Sequence, residues 1–257
     1  MLVNIALVQH TVGTPVGLDL KLHLFRQRAD FICFPEYWGA DSGMASLADL
    51  SRSSQHQIAL MTQLSADLHT TIIAGTTVIR GARGLQNSST VIASGRVLGQ
   101  YEKMHPTPAE LRRGIVPGSG PATWSQGAVT IGIAICADCL QPATFQQYAD
   151  LGVDILFVPN ASPLRPGESV EEKFARDDEI FVDGARRLGG YVVKVCGVGA
   201  IFGHPLQGRS LIAAPWGVLN RVPPSEESRP QVLSVRLSTD ELHDFRRRLR
   251  LSGRLAG

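Results

Sequence analysis

The chain is predicted to fold as an α/β protein with helical layers outside its sheets, and three observations carry that expectation. Short apolar runs of strand length alternate with amphipathic helical patterns along the whole sequence. Gly/Pro-rich stretches (114–120, 163–167 and 203–208) are brief enough to be loops between elements rather than linkers between domains. With 257 residues, 44% of them hydrophobic, the chain is long enough to bury a sizeable core. A single domain over residues 1–257 is expected.

Taken in order, Val3–Gln9 is a nearly continuous apolar run and reads as a buried first strand. It lacks the basic flank and small-residue cleavage site of a signal peptide. Leu18–Arg28 has helical spacing, and Phe31–Pro35 is a second strand. A helix is expected over Ser54–His69, where Ile58, Met61, Leu64 and Leu68 form one apolar stripe. Strands follow at Thr71–Ile79, Ser89–Ala93, Val97–Tyr101, Thr130–Cys136 and Ile155–Pro159, with a helix at Pro142–Leu151. One long helix is expected over Val170–Leu188, then strands at Tyr191–Val198, Gly208–Ala213 and Val232–Arg236. The last helix, Thr239–Arg248, opens on Ser238-Thr-Asp-Glu-Leu, a capped start.

Net charge is only +2, and Arg246-Arg-Arg-Leu-Arg250 reads as a solvated helix end rather than a polyanion site, so no nucleic-acid partner is expected. No apolar stretch reaches bilayer length, and no membrane association is expected. Four cysteines are too few for a disulfide framework, and three of them sit in apolar runs. That usage suits a reducing, cytoplasmic compartment.

Several charged or nucleophilic residues close these strands. Cys136 lies between a strand and a helical segment, where the positive end of a helix dipole would lower its pKa, and the backbone N–H of Ala137 could face an oxyanion. Taken singly, a cysteine at a strand end is as readily structural. Glu36 follows Phe31-Ile-Cys-Phe-Pro35, so desolvation should raise its pKa toward the range of a general base; a solvated loop acid is the plainer reading. Lys103 closes Val97-Leu-Gly-Gln-Tyr-Glu-Lys103 as a fixed cation or a surface lysine. Glu110 opens a short helical turn, favouring its N-terminus or orienting the lysine.

Together these segments resemble the carbon–nitrogen hydrolase (nitrilase) superfamily, almost end to end. Phe34-Pro-Glu36 is similar to the block holding the family's catalytic glutamate. Asn87-Ser88, Gly95 and Tyr101-Glu-Lys103 follow its order of asparagine, glycine and catalytic lysine, and Ile135-Cys-Ala-Asp138 resembles its nucleophile elbow. Tyr191-Val-Val with Gly199, and Gly208-Arg-Ser210 with Pro215-Trp-Gly217, are similar to two later blocks. The resemblance implies a four-layer α-β-β-α sandwich that assembles as a homodimer or larger homo-oligomer. It also implies a Cys136–Glu36–Lys103 amidase, with Glu110 as second glutamate and no metal or organic cofactor. Departures are a short segment from Gln9 to Pro35, implying a truncated first helix. Leu140 and Ala143 replace an arginine and a glutamate behind the elbow, and Gly184-Ala185 and Arg187-Leu188 stand where Arg-Ala and Glu-Asn are common.

Residues just past the catalytic groups are expected to meet substrate: Tyr37, Trp38, Asn160 and Ser162, with Phe202 as an aromatic wall and Arg165 or Arg176 for a carboxylate. A small linear amide is the preferred substrate; deaminated glutathione, ω-amides, carbamoyl compounds and glutamine stay open. Two other readings remain: Cys136-Ala-Asp-Cys139 as a C-x-x-C redox or metal motif, or a binding protein on the same fold.

Overall fold

The structure is a computed structural model, and it describes residues 1–41, 44 and 46–251. In chain order the first half comprises β1 (Leu2–Gln9), α1 (Leu18–Gln27), β2 (Phe31–Cys33), α2 (Leu47–Leu68), β3 (Thr71–Ile73), β4 (Thr77–Gly81), β5 (Gly84–Ala93), β6 (Arg96–Glu102) and α3 (Pro108–Arg112). The second half comprises β7 (Thr123–Gln126), β8 (Val129–Ile133), α4 (Pro142–Asp150), β9 (Ile155–Asn160), α5 (Val170–Asp177), α6 (Asp183–Leu188), β10 (Tyr191–Cys196), β11 (Ala200–Ile201), β12 (His204–Pro205), β13 (Leu211–Ala214), β14 (Gly217–Arg221), β15 (Gln231–Ser238) and α7 (Thr239–Leu251).

Two sheets result. One has the order β15-β1-β2-β3-β5-β4, with β6 on β5; the other runs β14-β13-β10-β9-β8-β7. Side-chain alternation along the central strands then fixes the layers. Ile5 and Leu7 of β1 face Ile155 and Phe157 of β9 and Val193 of β10 in the core between the sheets. Ala6 and Val8 point the other way, against Leu24 of α1 and Met61 and Leu64 of α2. Leu156 and Val158 of β9, with Val192 of β10, pack on Phe145 and Tyr148 of α4 and Ala185 and Leu188 of α6. Helix, sheet, sheet and helix therefore stack as the expected four-layer α-β-β-α sandwich.

Several element boundaries differ from expectation, each for a local reason. The run Thr71–Ile79 is split at Gly75 (φ +57), where a Cβ would lie 2.1 Å from the carbonyl oxygen of Pro35. α2 starts at Leu47, ahead of the apolar stripe, because Ser46 and Asp49 form a reciprocal capping box. The expected helix over Val170–Leu188 carries a π-helical turn at Asp178–Val182. The first helix spans ten residues, ending at Gln27 with Arg28 as its left-handed cap. Arg246 is docked rather than solvated: it donates to Asp154 Oδ1 at 2.7 Å and to the carbonyls of Gly189 and Val153, tying α7 to the second sheet. No helix among the described residues is long and apolar enough to cross a membrane.

Candidate active site

The carboxyl ends of three parallel strands, β2, β8 and β9, deliver the principal groups, as open α/β sheets commonly place their ligand sites. Beyond β2 the chain turns at Pro35, and Glu36 is almost fully buried. Its Oε1 accepts from Lys103 Nζ at 2.8 Å and from Asn87 Nδ2 at 2.9 Å; its Oε2 accepts from the Ala161 backbone N–H at 3.0 Å. Lys103, one residue past β6, is held by its own backbone: its N–H donates to the carbonyl of Asn87 on β5, and its carbonyl accepts from Gly118 N. A side chain at Gly118 would collide with the Glu102 carbonyl at 2.2 Å, so only glycine permits this approach.

Glu110 reaches the same lysine from α3. Thr107 caps that helix and Pro108 opens it. The Glu110 carboxylate accepts from Thr107 N at 2.7 Å, and from Lys103 Nζ at 2.8 and 3.0 Å. Tyr37 OH (2.5 Å) and Asn87 Nδ2 (2.9 Å) complete its shell. One oxygen of each glutamate, the lysine and Asn87 thus form a closed polar knot, with the Lys103 side chain 1% exposed.

Cys136 sits two residues beyond Ala134, where β8 has ended, at the first position of a 3-10 turn (Cys136–Leu140) that leads into α4. Its φ of +44 places a non-glycine residue in the left-handed region. Asp138 anchors the turn: its carboxylate accepts from Ile135 N, His105 N and Tyr101 OH at 2.7–2.8 Å, bracing the cysteine against the segment that follows Lys103. The partly exposed thiol of Cys136 donates to Asn160 Oδ1 at 3.6 Å.

Electrostatics separates these groups. Burial raises the pKa of Glu36, against the opposing pull of Lys103. Burial works in the same direction on Glu110, but the charge and hydrogen bonds of Lys103 overcome it and hold that carboxyl at about 2. Lys103 is desolvated too, yet the surrounding negative groups keep it above its ordinary value and therefore charged. Burial, then the charge of Glu36, push the Cys136 thiol up. This corrects the expectation of a dipole-stabilised thiolate: the element after Cys136 is a five-residue 3-10 turn, and desolvation outweighs what its short dipole offers.

Glu36, Tyr37, Lys103, Glu110 and Cys136 line one cavity of about 350 Å³, walled by α3 on one side and the β11–β12 hairpin on the other. Phe202, at the hairpin tip, joins the lining as expected. Tyr37 (φ +54), Cys136 and Phe202 (φ +49) all have left-handed backbone, strain of the kind that gathers at functional sites. Trp38 is not in the cavity. It is buried between the first sheet and α2, 6.0 Å from the Phe34 ring, because the left-handed Tyr37 reverses which side chain faces the site. Ser162 lies past the lining, its carbonyl accepting from Gln207 N, and Asn160 meets the thiol rather than open space. Arg165 and Arg176 border a separate surface groove, where Arg176 pairs with Glu168. Ala137 follows Cys136 in the turn and is buried.

Sequence reasoning missed Asn87 as the bridge between both glutamates, the Ala161 N–H on Glu36, and Arg113 and His204 on the cavity rim. Thr107-x-x-Glu110, a capping-box pattern, was the available signal that Glu110 is fixed in place. Cys139 lies behind the elbow in the apolar cluster of Phe145 and Tyr148, away from the cavity that Cys136 lines. All four cysteines are free thiols. Among the described residues no group of three or more His, Cys, Asp or Glu could hold a metal ion.

Comparison with known proteins agrees with this architecture. An (R)-stereoselective amidase from Pseudomonas sp. is 28% identical over 230 residues, 87% of this chain and 81% of that protein. A carbon–nitrogen hydrolase from Helicobacter pylori G27 superposes with a TM-score of 0.81 at 19% identity, covering 96% of this chain and 92% of its own. A mutant of the amidase from Nesterenkonia sp. AN1, whose structure shows covalent addition of the acetamide moiety of fluoroacetamide at its active-site cysteine, superposes with a TM-score of 0.75 at 20% identity, covering 97% and 96%. The sequence model of the carbon–nitrogen hydrolase family matches residues 8–247. The chain belongs to the carbon–nitrogen hydrolase family, whose members cleave C–N bonds other than peptide bonds.

Proposed function

We propose that the protein hydrolyses a small linear amide through a thioester on Cys136. The observation that carries this reading is the convergence, on one cavity wall, of a thiol, a carboxyl with raised pKa and a permanently charged ammonium. Two neighbouring carboxyls with pKa values driven apart divide their labour. Glu110, its pKa held low by Lys103, fixes that lysine; Glu36, whose pKa burial raises, is the carboxyl left to exchange a proton.

Glu36 takes the thiol proton as Sγ of Cys136 attacks the carbonyl carbon. The oxyanion is met by Lys103 Nζ and the Ala137 N–H. Glu36 then gives its proton to the departing amine, the C–N bond breaks, and a thioester remains. In the second half Glu36 deprotonates water, which adds to the acyl carbon and releases the acid and the free thiol. Because burial favours the protonated thiol, a base is required at each turnover, and Glu36, whose pKa burial raises, is the carboxylate placed to serve.

Mass spectrometry after incubation with a panel of amides and nitriles tests this. An acyl mass on the peptide carrying Cys136 is expected; its absence with every compound would sink the proposal. The sign of the pH dependence also follows. Glu36 acts as a base only when ionised and its pKa is raised above 4.5, so kcat/KM should fall on acidification through a pKa higher than that of an ordinary carboxyl. An acid limb at or below 4.5 contradicts Glu36 as base.

The C-x-x-C reading separates cleanly. Cys139→Ala should keep most of the amide turnover, with a stability loss of about 1 kcal/mol from its apolar site. Loss of turnover in a folded Cys139→Ala variant would revive dithiol chemistry.

A further inference from the structure

The two walls of the cavity are tied to each other across its mouth, and the tie bears on which acyl groups fit, given the amidase reading above. Arg113 ends α3, on the same short helix as Glu110, and its backbone N–H donates to the carbonyls of Ala109 and Glu110 at 3.2 and 3.0 Å. From there its guanidinium reaches the opposite wall and lies 5.1 Å from the centroid of the Phe202 ring, within the range of a cation–π contact. Helix and hairpin therefore meet at the exposed rim, whereas Glu36 and Lys103 lie buried at the inner end of the same cavity.

The turn that carries Phe202 is built against its own preference. Ile201 pairs with His204, so Phe202 and Gly203 are the two central residues of the hairpin; both have positive φ (+49 and +79), the pattern of a type I′ turn. Asn, Asp or Gly is favoured at the first of these positions because each enters the left-handed region at low cost. A bulky phenylalanine there is an outlier, and such an outlier persists where its surroundings hold it in place. One arm of the hairpin is anchored by Ile201, buried with Tyr37, Leu47 and Leu50. The other is anchored at Pro205, whose carbonyl accepts from Leu164 N at 2.9 Å. We propose that Phe202, braced by Arg113, is the specificity-determining residue that ends the acyl pocket and so limits the length of acyl chain Cys136 can accept. The cavity, about 350 Å³, is near the small end of the roughly 300–1,000 Å³ usual for ligand sites, so one phenyl ring makes up much of its outer wall. Methylenes that reach Leu47, Ile201 and Leu206 gain contact; the first that meets the ring does not fit.

Straight-chain amides from acetamide to octanamide test this, because they are neutral and differ in length alone. In the wild type kcat/KM should rise with chain length and then drop by about tenfold at the first methylene that meets the ring. Phe202→Asn supplies a residue suited to the turn and removes the ring. It should move the drop to longer chains and raise the octanamide-to-propionamide ratio of kcat/KM by about tenfold. Phe202→Trp should lower the same ratio. Arg113→Ala, which frees the ring of its brace, should raise the ratio by a smaller factor than Phe202→Asn, and Arg113→Lys, which keeps a cation on the ring, should raise it less again. A ratio unmoved by Phe202→Asn, or by Arg113→Ala at an exposed position that leaves the turn untouched, overturns the assignment while leaving the amidase reading intact. Failure of every amide in the series to release ammonia or to acylate Cys136 overturns both.

Discussion

Cys136→Ala is expected to lose turnover by at least about a thousandfold while the protein stays folded, because Cys136 is the one thiol among the described residues of the cavity wall. Ammonia release measures the first part and urea unfolding the second. Retention of more than a few per cent of the activity would remove Cys136 from the chemistry. The backbone adds a sharper version. With φ at +44, residue 136 bears the left-handed penalty whether it is cysteine or alanine, so the alanine variant should unfold close to wild type. Glycine carries no such penalty. Cys136→Gly should therefore be inactive yet about 1 kcal/mol more stable than Cys136→Ala, offset in part by glycine's greater unfolded-state entropy. That ordering would locate stored strain at the elbow and explain why the bend survives: Asp138, with three accepted hydrogen bonds, holds the turn in place. A Cys136→Gly variant less stable than Cys136→Ala, by about the 0.4–1 kcal/mol that glycine's unfolded-state entropy costs, would mean that the elbow is unstrained.

The layered fold was legible because apolar strand-length runs and helical stripes alternate along the chain. Which face of a strand meets which layer was not. β1 and β9 are apolar on both faces, so Ile5 and Ala6 look alike in sequence although they belong to different cores. Elements with weak periodicity were missed altogether. β7 and β14 are short, half-exposed edge strands, and the β11–β12 hairpin has only two residues in each arm. Within the site, Glu36, Lys103 and Cys136 stood out because each ends an apolar or strand-like stretch. Asn87 gave no such signal: its importance comes from partners 23 and 51 residues away that only the folded chain brings together. Trp38 misled for the opposite reason. Adjacency to Glu36 suggested a pocket wall, and a single left-handed residue between them turned the indole into the core.

Lys103→Met should be the most damaging substitution for stability, costing about 3–5 kcal/mol, and it should abolish activity as well. The lysine is 1% exposed and faces two carboxylates; removing its charge leaves Glu36 and Glu110 buried beside each other, with the Asn87 amide and the Tyr37 hydroxyl between them. The pH dependence carries the signature. In the wild type Glu110 is held at about 2, so the stability it contributes is present above 4.5 and is lost as pH falls toward 2. Without Lys103 both carboxyls have folded pKa values above their unfolded ones, so protonation favours the native state. The variant should gain stability on acidification from neutral pH to about pH 5, measured as the urea midpoint, where the Glu110 contribution in the wild type is still in place. Adding Glu110→Gln to Lys103→Met removes one of the two stranded charges and should recover part of the stability without restoring turnover. If Lys103→Met were as stable as the wild type with the same pH slope, the three charges would not be coupled, and the division of labour between Glu36 and Glu110 would fail with them.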